Sequence, residues 1–398
     1  MLKIALLNSV CYGSTGSIAC NLARLYQKNG YETTVFFGRG TAPADVHAER
    51  VETTAEVAAH VAKARLMDCM GFGSALATKQ LVQKLEAWNP DVIHLHNIHG
   101  YWVHVGILFD ALKKMRKPVL WTFHDCWPFT GHCAYFDLTG CDRWKNGCGA
   151  CPQKNGYPQR WLFDQSAKRW NQKQQLFSGL DNLTIVTPSN WLKDLIEQSF
   201  LREYNVRVFP NGIDTGVFQP TENQLRSQHH LENGRIFLGV ASVWDERKNL
   251  AAFSSLRPKL PQEDHLVVIG LNSRQMASLP AGILGLPRTE NARQLAAWYT
   301  AADVFVDPTL EDNFPTTHLE ALSCGTPVVT YATGGSAEML TPACGAAVQT
   351  GDLDALYTAM LRAADLRRED CLKQAQNYDQ HICLQRYADL CSEIVCTQ

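Results

Sequence analysis

The amino-acid sequence predicts an α/β protein of two Rossmann-like domains, each a parallel sheet covered by helices. Three observations predict it. Short runs of aliphatic and β-branched residues alternate with helix-length segments, which is how parallel strands joined by crossover helices read. The alternation stops at a Pro-Asn-Gly break near residue 211 and then begins again. The chain has 398 residues, 45% of them hydrophobic, more than one core organises.

Taken in order, residues 2–8 form an apolar run that ends in Cys11-Tyr-Gly-Ser-Thr-Gly16, and residues 18–27 carry apolar positions at helical spacing. This predicts strand, glycine turn, helix. Residues 33–37, 92–95, 119–123 and 184–187 are further buried-strand candidates, which places a first domain at 1–210 with a cysteine-rich insertion near 126–152. Pro210, Asn211 and Gly212 punctuate the chain, and 211–234 reads as a linker. The second domain, 235–380, takes strands from 236–241, 266–270, 304–307 and 327–330, with helices at 291–301 and 316–323. From residue 354 the chain reads as amphipathic helix, and 381–398 reads as a helix crossing back to the first domain.

Composition narrows the class. No stretch approaches the ~20 apolar residues of a membrane span, and the N-terminus runs into a glycine turn rather than a secretory cleavage site, so a cytoplasmic protein is expected. The net charge of −2 is uneven: residues 1–210 hold 23 Lys and Arg against 17 Asp and Glu. That surplus suits an anionic lipid-linked partner or peripheral contact with the membrane surface, or else reflects ordinary surface variation. A dense basic stripe of the nucleic-acid-binding kind is absent. Fourteen cysteines in a chain of this length read as free thiols or metal ligands rather than a disulfide scaffold.

The most informative run is Pro308-Thr-Leu-Glu-Asp-Asn-Phe-Pro-Thr-Thr-His-Leu-Glu-Ala-Leu-Ser-Cys-Gly-Thr-Pro. Pro315 suits the first turn of a helix, which leaves Asp312 and Asn313 in the preceding loop and Glu320 on the second turn. The amides of Phe314, Thr316 and Thr317 then open toward the end of the sheet, where the helix dipole favours phosphate. Glu320 is placed to accept hydrogen bonds from ribose hydroxyls, and Asp312 to hold hydroxyls of a sugar. A capped helix with an acidic start explains the same residues without a ligand.

Asp312 and Glu320, with Asn313-Phe-Pro between them, resemble the E-x7-E motif of glycosyltransferase family 4, although the first acid here is Asp with Glu311 beside it. The resemblance implies the GT-B fold, in which the two parallel sheets face across a cleft, a nucleotide-sugar donor and retention of anomeric configuration. It implies further roles. Lys248, in Val240-Ala-Ser-Val-Trp-Asp-Glu-Arg-Lys-Asn, matches the family's phosphate-binding lysine; the usual arginine six residues earlier is replaced by Ser242, leaving Arg247 as the second cation. Backbone near Arg288 and Thr289 is expected against the nucleotide base, and His124 near the donor sugar. Gly13 and Gly16 let backbone amides approach a diphosphate. The incomplete glycine pattern, and a second strand ending at Arg39 rather than an acid, count against a nicotinamide cofactor.

His96, Asn97 and His99 follow a predicted strand and are candidates for acceptor contacts, since carboxyl ends of parallel strands face the ligand crevice. The His94–His96 pair is read against a metal site on the ground that its members lie on opposite faces of the strand. Cys133, Cys141, Cys148 and Cys151 have two readings, a structural zinc site or reduced thiols packed in a loop. Insertions of this kind resemble those of family members that make colanic acid and other exopolysaccharides. The expected activity is transfer of a sugar from a UDP- or GDP-sugar to a saccharide or lipid-linked saccharide acceptor, with no cofactor required for catalysis. The alternatives are a noncatalytic saccharide-binding scaffold and a GT-B nucleotide-sugar epimerase.

Overall fold

The computed structural model describes residues 1–153 and 156–396. It divides into two compact units, one of Met1–Phe209 with the C-terminal segment from Leu384, the other of Pro210–Cys383. Each is a doubly wound α/β unit built on one parallel sheet.

The first sheet has strands β1 (Lys3–Val10), β2 (Glu32–Arg39), β3 (Ala48–Arg50), β4 (Val92–Leu95), β5 (Val119–Thr122), β6 (Leu183–Thr187) and β7 (Asn205–Val208). Its order is β3-β2-β1-β4-β5-β6-β7. Ile4, Ala5, Leu6, Leu7, Ile93, Leu95 and Leu120 are wholly buried, as strands covered on both faces must be. The register runs Ile4↔Val92 and Leu7↔Leu95. The order therefore reverses between β1 and β4, and ligands of doubly wound sheets bind outside the carboxyl ends of strands at such a switch point.

The second sheet has β8 (Ile236–Val240), β9 (His265–Ile269), β10 (Ile283–Leu286), β11 (Val304–Asp307), β12 (Val328–Tyr331) and β13 (Gly345–Val348), in the order β10-β9-β8-β11-β12-β13. Its switch point lies between β8 and β11. The loops leaving these two strands carry Arg247 and Lys248 on one side and Asp312 on the other.

Two expectations change. The segment 211–234 is not a free linker but part of the second unit: Ile213, Phe218 and Leu231 are buried in that unit's core, and Ile213 bridges to Asp379. Burial of three large apolar side chains outweighs the Pro-Asn-Gly punctuation. The first helix, Gly13–Lys28, starts at Gly13 rather than after the glycines, so Gly16 lies inside its first turn. A Cβ at Gly16 would stand 2.7 Å from the Cys11 carbonyl carbon, so only glycine permits the helix to start this close to β1.

The C-terminal helix Gln380–Cys396 places Leu384, Tyr387, Ala388, Leu390 and Cys391 in one cluster with Ile4, Leu6, Leu22 and Tyr26 of the first unit. Residues 397–398 of the helix expected from the sequence lie outside the described residues. Among the described residues no helix is long and apolar enough to cross a membrane.

Candidate donor and acceptor sites

In the second unit the chain leaves β8 and lays Arg247 and Lys248 against the loop that follows β11. Lys248 is buried. Its Nζ donates to Asp312 Oδ2 at 2.8 Å and to Asp307 Oδ2 at 3.3 Å. Arg247 Nη1 donates to the Glu311 carbonyl at 2.9 Å and approaches Asp312 Oδ2 at 3.4 Å. Burial works against the Lys248 charge, yet Asp307 and Asp312 outweigh it and hold the ammonium above its usual range. Asp307 shows the reverse balance: burial opposes its charge, but Lys248 and His318 bring its carboxyl down to about 2. Lys248 and Asp307 are thus held in their charged forms at the switch point, with Arg247 and Asp312 beside them.

Asp307 and His318 were not singled out from the sequence. Asp307 is the last residue of β11, the same strand-end position that marked His124. His318 sits inside the informative run, with Nε2 3.0 Å from Asp307 Oδ2 and Nδ1 3.2 Å from the Ser336 carbonyl. Gly334 backs the loop; with φ of +55° and a would-be Cβ 1.7 Å from the Asp312 carbonyl oxygen, it allows no other residue without displacing Asp312.

The helix Thr316–Ser323 begins after Pro315, which stands at the cap position rather than in the first turn, and no side chain caps this end. Asn313, Phe314 and Pro315 are buried while Thr316 and Thr317 keep part of their surface open. The Thr317 hydroxyl is buried without a hydrogen-bond partner. Glu320, half-buried one turn on, accepts from the Tyr299 hydroxyl at 2.9 Å, a partner not anticipated from the sequence. Burial pushes the Glu320 carboxyl up to about 7, and the Tyr299 bond draws it partly back. The structure therefore brings Arg247, Lys248 and Asp312 together and gives Glu320 its own partner. Arg288 is exposed and Thr289 half-exposed, both just beyond β10.

Tyr299 is fully buried, so Tyr299→Phe should leave Glu320 without its donor. It is expected to cost about 1–3 kcal/mol in a denaturant melt and to move the Glu320 titration further upward, read by carboxyl-resolved NMR.

In the first unit the carboxyl ends of β4 and β5 gather histidines. His94 and His96 share a face, their rings 4.2 Å apart. This corrects the sequence reading, because residues two apart on a strand point the same way. His94 is bound by Tyr26 Oη at 3.3 Å and Thr122 Oγ1 at 2.9 Å, which spends both its nitrogens inside the core. His96 Nδ1 lies 3.1 Å from His124 Nε2 with the rings stacked. Burial pushes His124 down to about 4 and His96 well below its usual range, so both are neutral at pH 7 and exchange hydrogen bonds rather than charge.

His99 Nε2 faces Asp125 Oδ2 at 2.9 Å, and Asp125 Oδ1 accepts the Trp127 amide at 2.9 Å. His96 Nε2 and His99 Nδ1 are buried with no partner. Two unsatisfied ring nitrogens at one end of a sheet are costly unless something polar reaches them. Asn97 is half-exposed, its amide donating to Asn8 Oδ1 at 3.0 Å. Gly13 is exposed at φ +68°, where its helix opens beyond β1.

The insertion brings the Cys133 thiol within electrostatic reach of Cys141, Cys148 and Cys151. Cys133 is buried in the core, whereas Cys141, Cys148 and Cys151 are only partly covered. Separate backbone bonds tie them: Gly131 N–H donates to Cys148 Sγ at 3.2 Å, and the Cys151 amide donates to Asp164 Oδ2 at 2.7 Å. Among the described residues no group of three His, Cys, Asp or Glu is placed to hold a metal ion.

Comparison with known proteins places this architecture. The profile described as Glycosyltransferase Family 4 matches residues 15–217, half of the chain, and that described as Glycosyl transferases group 1 matches 234–365. WcaC of Escherichia coli K12, assigned to colanic acid biosynthesis as a glycosyl transferase, is 28% identical over 264 residues, 63% of this chain and 62% of that protein. D-inositol 3-phosphate glycosyltransferase of Corynebacterium jeikeium is 30% identical over 41% of this chain and 44% of its own length. The chain thus spans less than two thirds of these relatives.

Among solved structures, sucrose-phosphate synthase of Thermosynechococcus elongatus superposes with a TM-score of 0.72 at 14% identity, covering 100% of both chains. HepE of Anabaena, solved in complex with UDP, superposes at 0.68 and 15% identity, covering 99% of this chain and 100% of HepE. Two parallel sheets with these switch points, matched along their full length by such structures and over half the sequence by the family profile, leave one assignment: the chain belongs to glycosyltransferase family 4 and has its GT-B fold.

Proposed function

We propose that this protein is a retaining glycosyltransferase that moves a sugar from a nucleotide-diphosphate sugar to a lipid-linked saccharide acceptor during synthesis of a surface polysaccharide. The observation that carries the reading is the arrangement at the second switch point: two fixed cations, Arg247 and Lys248, beside the uncapped N-terminus of Thr316–Ser323. Charge develops on the leaving diphosphate as the glycosidic bond breaks, and preorganised cations with a helix N-terminus stabilise that charge most. The unpartnered Thr317 hydroxyl supports a ligand at the same helix end. Glu320, one turn further, accepts hydrogen bonds from ribose hydroxyls of the donor. In the first unit the orphan nitrogens of His96 and His99 take hydroxyls of the saccharide acceptor.

The likeness to WcaC supports a role in polysaccharide synthesis, and the UDP complex of HepE supports a uridine-type donor. With Arg247 and Lys248 supplying the positive charge, transfer proceeds without a divalent ion. The test is a nucleotide-release assay over UDP- and GDP-sugars with an undecaprenyl-linked saccharide acceptor, with NMR of the product anomer. Release that requires the acceptor, gives retained configuration and survives EDTA is expected. Release without acceptor, giving a rearranged free sugar, would instead establish an epimerase, and an inverted product would remove the retaining assignment.

A further inference from the structure

Between β5, which ends at Thr122, and the helix Ser166–Phe177, the described residues form only three single-turn 3₁₀ helices. Irregular connections of this length are uncommon in compact units unless they carry a function. This one packs a small core of its own: Trp144 is buried, its ring 5.2 Å from Phe129 and stacked on Phe136 at 5.1 Å. Cys133, Cys141, Cys148 and Cys151 all fall within it. The Cys133 thiol lies within electrostatic reach of the other three, and Cys148 within that of Cys141 and Cys151, so the four are mutual neighbours.

Their backbones are held from outside the sulfurs. Thr130 Oγ1 donates to the Cys133 carbonyl at 2.5 Å, Trp144 Nε1 to the Cys141 carbonyl at 3.1 Å and Arg160 Nη2 to the Cys151 carbonyl at 2.6 Å. The Gly131 amide donates instead to Cys148 Sγ at 3.2 Å. A Cβ at Gly131 would stand 2.1 Å from the Ser166 carbonyl oxygen and 2.8 Å from Cys148 Cβ, so glycine is what lets this amide reach the sulfur. The Gln153 amide bonds Cys151 in the same way. Neutral thiols accept hydrogen bonds weakly. Amides aimed at sulfur favour the thiolate form, and outer bonds of this kind orient metal ligands.

Lys173 is an independent observation. It lies on the helix Ser166–Phe177 and is 1% exposed. Its Nζ donates to the Trp127 carbonyl at 2.6 Å and the Thr130 carbonyl at 2.9 Å, and among the described residues it forms no ion pair. The acidic groups in its surroundings are Cys148 and Cys133 first, then Asp125 and Asp68. Asp125 already faces His99, and Asp68 faces His132. A buried ammonium calls for a negative neighbour, and protonated thiols supply none.

We propose that Cys133, Cys141, Cys148 and Cys151 bind one structural zinc ion as a tetrahedral tetrathiolate, with Lys173 as its buried counter-cation. As free thiols the four do not enclose an ion; zinc–sulfur bonds of ~2.3 Å would draw the sulfurs inward on backbones already held. The thiols release their protons to solvent on binding, and one divalent ion with four thiolates leaves a net negative charge facing Lys173. Four sulfur ligands close the coordination shell, so the ion holds the fold and takes no part in sugar transfer. What it holds is the loop leaving β5: the Cys126 amide donates to the Ala134 carbonyl at 2.9 Å, which joins the insertion directly to the turn after His124 and Asp125.

The test is metal analysis of the full chain purified without a polyhistidine tag, by mass spectrometry of the elements and by release of zinc to a chromogenic chelator as a mercurial titrates the thiols. About one zinc per chain is expected, and the cobalt(II)-substituted chain should show the d–d bands of a tetrahedral thiolate site. Cys141→Ser and Cys148→Ser should each bind zinc ~10-fold or more weakly, whereas Cys396→Ser, exposed and outside the insertion, should keep it. Zinc removal from the wild-type chain keeps the test independent of variant folding: amide exchange should rise across residues 126–152 and stay unchanged in the second unit. Zinc content is read on the chain itself, so the outcome does not depend on the donor or acceptor. A chain free of metal, iron in place of zinc, disulfides among the four cysteines, or full zinc in both insertion variants would overturn the proposal.

Discussion

Lys248→Ala should lower both stability and turnover. The ammonium sits between Asp307 and Asp312, and removing it leaves the buried Asp307 carboxylate with His318 alone. Breaking a buried pair from one side costs about 3–5 kcal/mol, visible as a lower midpoint in a urea melt at pH 7. In the donor site proposed above, loss of this cation is expected to slow turnover by ~10²–10³-fold. Stability and catalysis separate through Arg247, whose side chain is 26% exposed. Arg247→Ala should melt within about 1 kcal/mol of wild type yet lose ~10-fold or more in kcat/KM. An Arg247→Ala enzyme with unchanged kcat/KM would remove that residue from the donor site.

The second large effect concerns Glu320 and pH. Its carboxyl titrates near 7 in the folded chain against 4.5 for a free side chain, because burial disfavours the charged form. Between those values the folded chain holds a proton that the unfolded chain has released, so this group's contribution to stability falls as pH rises from 4.5 toward 7. The full effect is on the order of 3 kcal/mol. Glu320→Gln should therefore flatten that part of the stability profile and be relatively more stable than wild type at pH 8. Glu52 also titrates near 7 through burial, which is why the difference between variant and wild type is the quantity to measure. At pH 8 the same variant should bind nucleotide ~10-fold or more weakly, since a charged acceptor is lost. A variant with wild-type nucleotide affinity would mean that Glu320 serves only the packing around Tyr299.

The central strands were legible in the sequence because burial on both faces makes them continuous apolar runs; β1, β4, β8 and β11 stand out in this way. The four strands not read as such, β3, β7, β10 and β13, are the outer strands of the two sheets. Each has one unpaired side and partial exposure, so Ala-Glu-Arg in β3 or Asn-Val-Arg-Val in β7 carries little apolar signal. In the site, Lys248, Asp312 and Glu320 were legible from local spacing and family resemblance. Asp307, His318 and Tyr299 were not, because each acts through a partner elsewhere in the chain: Asp307 reaches Lys248 across 59 positions. The placement of His94 and His96 failed for a simpler reason, a miscounted strand period.

The central claim, that the second unit holds a nucleoside diphosphate between Arg247, Lys248 and the helix beginning at Thr316, is tested most directly by thermal melting of the purified chain with UDP, GDP and ADP. Binding to the folded state alone must raise the melting temperature. The account predicts a rise with one base, abolished in Arg247→Ala and reduced in Glu320→Gln. No rise with any of the three at millimolar concentration would contradict it and leave a GT-B chain that binds saccharide without a donor.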